Sequence, residues 1–288
     1  MSPRISKLKR FFTLSWLACT MITVGLVTTL HAQNDDIVGL WEGRKVDGRF
    51  NTTEPWGPFL IEKKSDGTLK ATFLGGRLGQ RDLPMYEVTL KNGKFKLQMN
   101  RWGGASLDAT FSPEEGIVGT LRHHGMTEKL TLQKIPDRTD NDILALLKSG
   151  KIADNPPYQS EFMSLLINKG PETAMTLLKA VHEKKPGHQL WGPGVVNSYG
   201  YELLNKKKTA EAVAVFKLNA LAYADDPNSF DSLGEGYIRN GDRELAIKAL
   251  EKSLSLNPPQ NVRQNSMKLL KELGINDENE VKGSKKSD

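Results

Sequence analysis

Cysteine is almost missing from this chain: the only one, Cys19, lies within the first thirty-two residues. Those residues are basic up to Arg10, apolar from Phe11 to Leu30, and end on Ala32 before the polar Gln33, Asn34, Asp35 and Asp36. That order is the order of a secretory signal. A chain exported past it keeps no thiol, which excludes disulfides, thiolate metal sites and cysteine nucleophiles. The run Phe11–Leu30 is also long enough to span a bilayer, so an uncleaved anchor at residues 11–30 stays open as the alternative. Either way the expected location is outside the cytosol: periplasmic or secreted, or anchored to the inner membrane.

Serine-enzyme motifs are missing too. The only Ser-x-x-Lys is Ser6 to Lys9, inside the leader, and Gly104-Ala105-Ser106-Leu107-Asp108 lacks the second glycine of a nucleophile elbow. Gly75-Gly76-Arg77-Leu78-Gly79 joins strands and opens no helix, so it is not a phosphate loop. Adjacent strand residues point to opposite faces, which places His123 and His124 poorly for chelating one ion. No catalytic residue, metal or cofactor is therefore assigned, and the chain is expected not to be an enzyme. The net charge of +6 owes four charges to Arg4, Lys7, Lys9 and Arg10, so the basic balance belongs to targeting and not to nucleic-acid binding. The carboxylate pairs Glu114-Glu115 and Asp225-Asp226 and the run Lys206-Lys207-Lys208 fall on predicted turns and are expected to be solvated there.

From residue 33 to 135 the apolar period is 2. Leu69, Ala71 and Phe73, then Tyr86, Val88 and Leu90, then Phe95, Leu97 and Met99 alternate with polar residues as half-buried strands do. Asp66-Gly67, Asn92-Gly93 and Glu115-Gly116 supply the turns. Further runs near Val38, Phe59, Leu107, Val118 and Leu130 bring the number of strands to eight, and closure into an up-and-down barrel removes exposed edges. Strands this short favour a barrel filled by its own side chains. Trp56 and Trp102 are the candidates for a ligand at its mouth.

Beyond Pro136 the period becomes helical. A linker over 136–158 holds Ile143, Leu144, Leu146 and Leu147 on one face behind Asp140 or Asn141 as cap, and Pro171 starts a helix to Glu183. Within the helical domain, 159–275, an echo at 34 residues pairs Gly200 with Gly234, Ala212 with Ala246 and Phe216 with Leu250. Helical hairpins of that length cannot bury their apolar faces alone, so they stack. Pro227 falls three residues late as a closing proline for the first unit, which predicts a lengthened second helix or loop there. Gly241 and Asp242 predict a helix stop and an N-cap, and Val262, Met267, Leu269, Leu270 and Leu273 predict a final capping helix. The charged stretch 276–288 is expected to be a disordered tail.

Two resemblances are visible in these residues. Phe230, Leu233, Gly234, Tyr237, Ala246, Leu250 and Pro258, echoed by Tyr199, Gly200, Ala212 and Phe216, resemble the tetratricopeptide repeat. The opening Gly39-Leu40-Trp41 resembles the first strand of lipocalin-like barrels, which implies that Trp41 plugs one end; the last strand offers Lys129 and Lys134 where many lipocalins place an arginine. Both halves are similar to accessory regions of bacterial serine hydrolases, including beta-lactamase-like members, without the catalytic domain. Together they imply an α+β multidomain chain, a lipocalin-like eight-stranded barrel followed by an all-α tetratricopeptide domain. The function expected is that of an exported adaptor binding another protein or peptide. Its groove would be lined by Asn197, Tyr201 and Leu204 from one unit and by Asp231, Glu235 and Ile238 from the next. The alternatives are a carrier of a small apolar ligand in the barrel and an accessory or degenerate member of a serine hydrolase system.

Overall fold

The computed structural model describes residues 35–47, 52–74, 83–84, 87–98, 104–123 and 125–275. The leader, Trp102, His124 and the tail from 276 lie outside the described residues. Among the described residues no helix is long and apolar enough to cross a membrane.

The period-2 stretches form β1 (Gly39–Asp47), β2 (Thr52–Lys63), β3 (Leu69–Phe73), β4 (Leu83–Pro84), β5 (Glu87–Lys91), β6 (Lys94–Gln98), β7 (Ser106–Ser112), β8 (Gly116–His123) and β9 (Met126–Lys134). They make one sheet in the order β4-β3-β2-β1-β9-β8-β7-β6-β5, and β3 approaches β5, so the sheet curls into a nearly closed antiparallel barrel. Nine segments serve as eight barrel strands. Leu83–Pro84 pairs with Thr72 and Phe73 of β3, and Glu87–Lys91 pairs with β6, so the fourth strand is one path in two pieces. Asn92 and Gly93 both take positive φ, 51° and 73°, the pair of values that a tight two-residue hairpin requires.

The alternation buries the expected face: Leu69, Ala71 and Phe73 of β3 and Phe95 and Leu97 of β6 point inward. Trp41 is 2% exposed, donates its indole N–H to the Ile37 carbonyl at 2.7 Å and meets Phe111 edge-on at 5.8 Å. Its one polar atom is thus satisfied, as a buried tryptophan requires. Outside, Asp108 lies between Lys96 of β6 and Arg122 of β8 and pairs with both. These exposed bridges contribute little to stability. The chain forms two compact units, and the second, which holds the helices, also includes the end of β1 from Arg44 and the start of β2 through Pro58.

The helical unit contains α1 (Asp140–Lys148), α2 (Gln159–Lys169), α3 (Pro171–Lys184), α4 (Pro193–Asn205), α5 (Thr209–Ala222), α6 (Pro227–Asn240), α7 (Arg243–Ser255) and α8 (Gln260–Glu272). Three local expectations need correction. The cap of α1 is Thr139, which forms a reciprocal capping box with Asp142, and not Asp140 or Asn141. Asp242 is the N-cap residue of α7, as expected, but its side chain makes no cap bond; its carboxylate accepts from Asn240 Nδ2 at 2.7 Å. Pro227 is not a delayed closing proline. It is the first residue of α6, as Pro193 is of α4, and these two prolines are themselves one repeat apart. The C-terminal stop of α6 is as expected, with Gly241 left-handed at φ 86°.

The 34-residue echo marks the same slot in successive hairpins. A Cβ on Gly234 would come within 2.7 Å of the Leu250 side chain. The Phe216 ring fits against Gly200 of α4 and also against Gly236 of α6, where an added Cβ would lie 2.7 Å from the ring. One aromatic ring of α5 therefore sets the spacing of two flanking helices. Replacing Gly236 with alanine is expected to destabilise the helical unit by about 1–3 kcal/mol, the usual cost of overpacking. Thermal unfolding would show this, with partial recovery when Phe216→Leu is added.

Candidate functional site

α4 and α6 lie side by side, and α8 packs on the other flank of α6. Residues one repeat apart therefore meet across helices. The Tyr201 hydroxyl of α4 donates to Glu235 Oε2 of α6 at 2.8 Å and lies 3.2 Å from Ser232 Oγ. Its ring packs edge-on to Phe216 at 5.2 Å. Burial pushes the phenol's pKa well above its ordinary value; the contact with Ser232 opposes this and the Glu235 charge adds to it. Tyr201 is thus a fixed neutral donor, not an acid or a nucleophile at neutral pH.

Asp231 is 5% exposed, so it does not line an open groove. Its carboxylate accepts from Ser266 Oγ at 2.5 Å and from Asn265 Nδ2 at 2.8 Å, both on α8. Burial raises the pKa of this carboxyl, the two hydrogen bonds oppose the rise, and Glu235 reinforces it. Leu204 is also interior, at 7% exposure, while Asn197, Tyr201, Glu235 and Ile238 are half-buried. Asn197 lies one turn before Tyr201 on α4, and its amide oxygen is buried without a hydrogen-bond partner. The six expected groove residues thus divide: four remain at the half-buried face, and Asp231 and Leu204 belong to helix packing.

The barrel-mouth candidates are not brought together by anything described. Trp56 is a residue of β2 whose side chain lies outside the described residues, as does all of Trp102. The paired lysines near the α4–α5 turn are partly neutralised, Lys206 by Glu202 and Lys208 by Glu211. Of the two adjacent carboxylates ahead of α6, Asp226 is a cap, accepting from Asn228 N at 3.2 Å and Ser229 N at 3.0 Å.

Several organising polar groups escaped the sequence pattern. Trp191 stacks on Phe162 at 4.2 Å and donates its indole N–H to Asn219 Oδ1 at 3.0 Å. Asn219 in turn donates to Ser229 Oγ at 2.9 Å, and Ser229 donates to Asp226 at 2.6 Å. Trp191, Asn219 and Ser229 are essentially inaccessible to solvent. The available signal was Asn219 itself, a lone amide in a helix whose other residues are mostly apolar. Arg138 and Glu161 form a second hidden pair, 11% and 7% exposed, with Nε to Oε1 at 2.7 Å. They border a polar cleft of about 370 Å³ that also involves Asp140, Ser164 and Lys169. Asp140 is engaged there by Ser164 and Asn168, each at 2.9 Å.

No protein-family model matches the sequence, and no curated protein matches it. Among solved structures, a crystal structure of MamA is 16% identical with a TM-score of 0.28, over 50% of this chain and 91% of that chain. A MamA RS-1 ArsTM double mutant is 21% identical with a TM-score of 0.24, over 52% of this chain and 88% of that chain. Scores this low do not establish a shared fold.

Two measurements test the polar framework. Asn219→Leu strands the Trp191 N–H and is expected to cost about 1–3 kcal/mol per orphaned buried group, read by denaturant unfolding. Asp231 has a raised folded pKa, so its contribution to stability is full below the unfolded value of about 3.9 and is lost as pH rises through the folded value. The stability of the natural protein relative to Asp231→Asn should therefore increase as pH falls from about 7 toward about 4. A difference independent of pH would contradict the assignment.

Proposed function

We propose that this protein is an exported, non-catalytic adaptor whose helical unit is a short tetratricopeptide domain. It takes a peptide or protein segment across the half-buried face of α4 and α6. The observation that carries the proposal is the Tyr201–Glu235 hydrogen bond, which ties equivalent positions of successive repeats into one prepared surface. Stacked helical hairpins present such surfaces to extended segments. Export is supported by the leader, with its basic start and single long apolar run. The absence of a serine nucleophile motif downstream of that leader supports a non-enzymatic role.

The barrel is assigned a lipocalin-like but structural role. Trp41, Phe59, Phe95, Leu107 and Ile117 are each almost fully buried, which weighs against a carrier of a small apolar ligand. The similarity of both halves to accessory regions of serine hydrolases makes a separate hydrolase the first partner to test. The double variant Tyr201→Ala, Glu235→Lys is expected to abolish recovery of a bound partner in affinity purification from the native host. Unchanged recovery with the double variant would count against this face.

A further inference from the structure

We propose that the outer wall of the barrel, formed by β5 to β9, rests on an anionic lipid surface. The strand register fixes its outward residues. Lys91 of β5 stands directly opposite Lys94 of β6, and Lys96, two residues further along the same face, stands opposite Asp108 of β7. From Asp108 the row continues through Thr120 of β8 to Lys129 of β9. Arg122 lies on the same side of β8 and, like Lys96, is paired with Asp108. One carboxylate thus answers two of the wall's cations. Among the described residues Lys91, Lys94 and Lys129 are exposed and form no ion pair. Like charges directly opposite on antiparallel strands are destabilising. The facing Lys91 and Lys94 therefore cost the barrel stability that an overlying anion restores.

Three lysines elsewhere on the barrel are answered within the fold. Lys63 pairs with Asp35, Lys70 pairs with Glu62, and Lys134 Nζ donates to the Asp36 carbonyl at 2.9 Å. The unanswered charge is therefore local to one wall, whatever the leader adds to the net charge. The other acids of the wall stand at its margins, Glu87 at the start of β5 and Glu114 and Glu115 on the turn between β7 and β8. Four strand spacings make the wall about 19 Å wide, with its cations spread in two dimensions and no aromatic ring among its described outward residues. A nucleic-acid strand is held by aromatic stacking along a track of charge, and this wall provides neither. An anionic bilayer presents a plane of phosphates, to which ammonium groups attach as point charges without a fixed register. Val118, 38% exposed in the row between Thr110 and Thr131, and Met126, 51% exposed at the β8–β9 turn, add apolar contacts on the same strands. By sequence, only residues 31–34 separate the apolar run ending at Leu30 from Asp35, which pairs with Lys63 of β2. A retained run would hold the barrel close to a bilayer.

The test places the full chain on vesicles of phosphatidylcholine alone and of an equal mixture with phosphatidylglycerol, and follows acetylation of each lysine by mass spectrometry. Lys63 and Lys70, on β2 and β3 across the barrel, serve as references. On mixed vesicles Lys91, Lys94 and Lys129 are expected to react about tenfold or more slowly relative to these references, and raised salt should return them to their ordinary rates. Lys91→Gln combined with Lys94→Gln should restore the reactivity of Lys129, with thermal unfolding unchanged or raised because the opposed charges are gone. Ordinary rates on mixed vesicles would overturn the proposal. Equal protection on phosphatidylcholine alone would overturn it too, since that surface supplies no net charge. Equal protection by a single-stranded oligonucleotide in place of vesicles would reassign the wall to polyanions at large and overturn the lipid assignment. None of these results bears on peptide binding at α4–α6, which the Tyr201→Ala, Glu235→Lys variant tests separately.

Discussion

The Phe216 ring is the contact on which the helical unit depends. It lies between backbone of α4 at Gly200 and of α6 at Gly236, and only a residue without a Cβ leaves that space at both places. Because α5 is held to both neighbours through one ring, α4 and α6 come near enough for Tyr201 to rest on the same ring and reach Glu235. Packing thus creates the candidate site: a small change in the spacing of α4 and α6 would separate the hydroxyl from the carboxylate. Close-packed interiors transmit such shifts instead of absorbing them.

Around this wedge, buried polar groups determine which helix faces meet. The chain Trp191–Asn219–Ser229–Asp226 ties the loop before α4 to α5 and to the start of α6, and each member satisfies the next. Arg138 and Glu161 fasten the approach to α1 onto α2 in the same manner. Removing one partner from such pairs costs more than the pair contributes, since the other group is left desolvated. These connections specify one arrangement among the several that apolar stripes alone would permit. The barrel organises its interior differently, by an alternation of side chains closed off by Trp41, whose N–H is satisfied by Ile37.

The legible parts of the sequence were those governed by local geometry. Period-2 alternation placed Leu69, Ala71 and Phe73 inward, Asn92-Gly93 formed its hairpin, and Gly241 stopped α6. The 34-residue echo correctly paired Gly200 with Gly234 and Phe216 with Leu250, each glycine lying beneath its large partner. Caps were less legible, because several polar residues stood close together and only the helix axis chose between Thr139, Asp140 and Asn141. Met267, expected in the capping helix, is 40% exposed, whereas Val262, Ser266 and Leu270 turn inward. Trp191 was invisible to periodicity because it lies in a loop.

By itself the sequence determined periods, turns and equivalence: which residues form strands, which form helices, and which positions correspond across the repeat. Those properties depend on neighbours a few residues away or on a constant offset. Only the tertiary structure decided which equivalent positions touch. Asn197, Asp231 and Asn265 are successive equivalents, yet Asp231 is bonded to Asn265 while the amide oxygen of Asn197 is left without a partner. The reason is that α8 covers one flank of α6, burying one carboxylate and leaving Glu235 half-buried beside Tyr201. Burial is a property of helix against helix, and no spacing along a single chain encodes it.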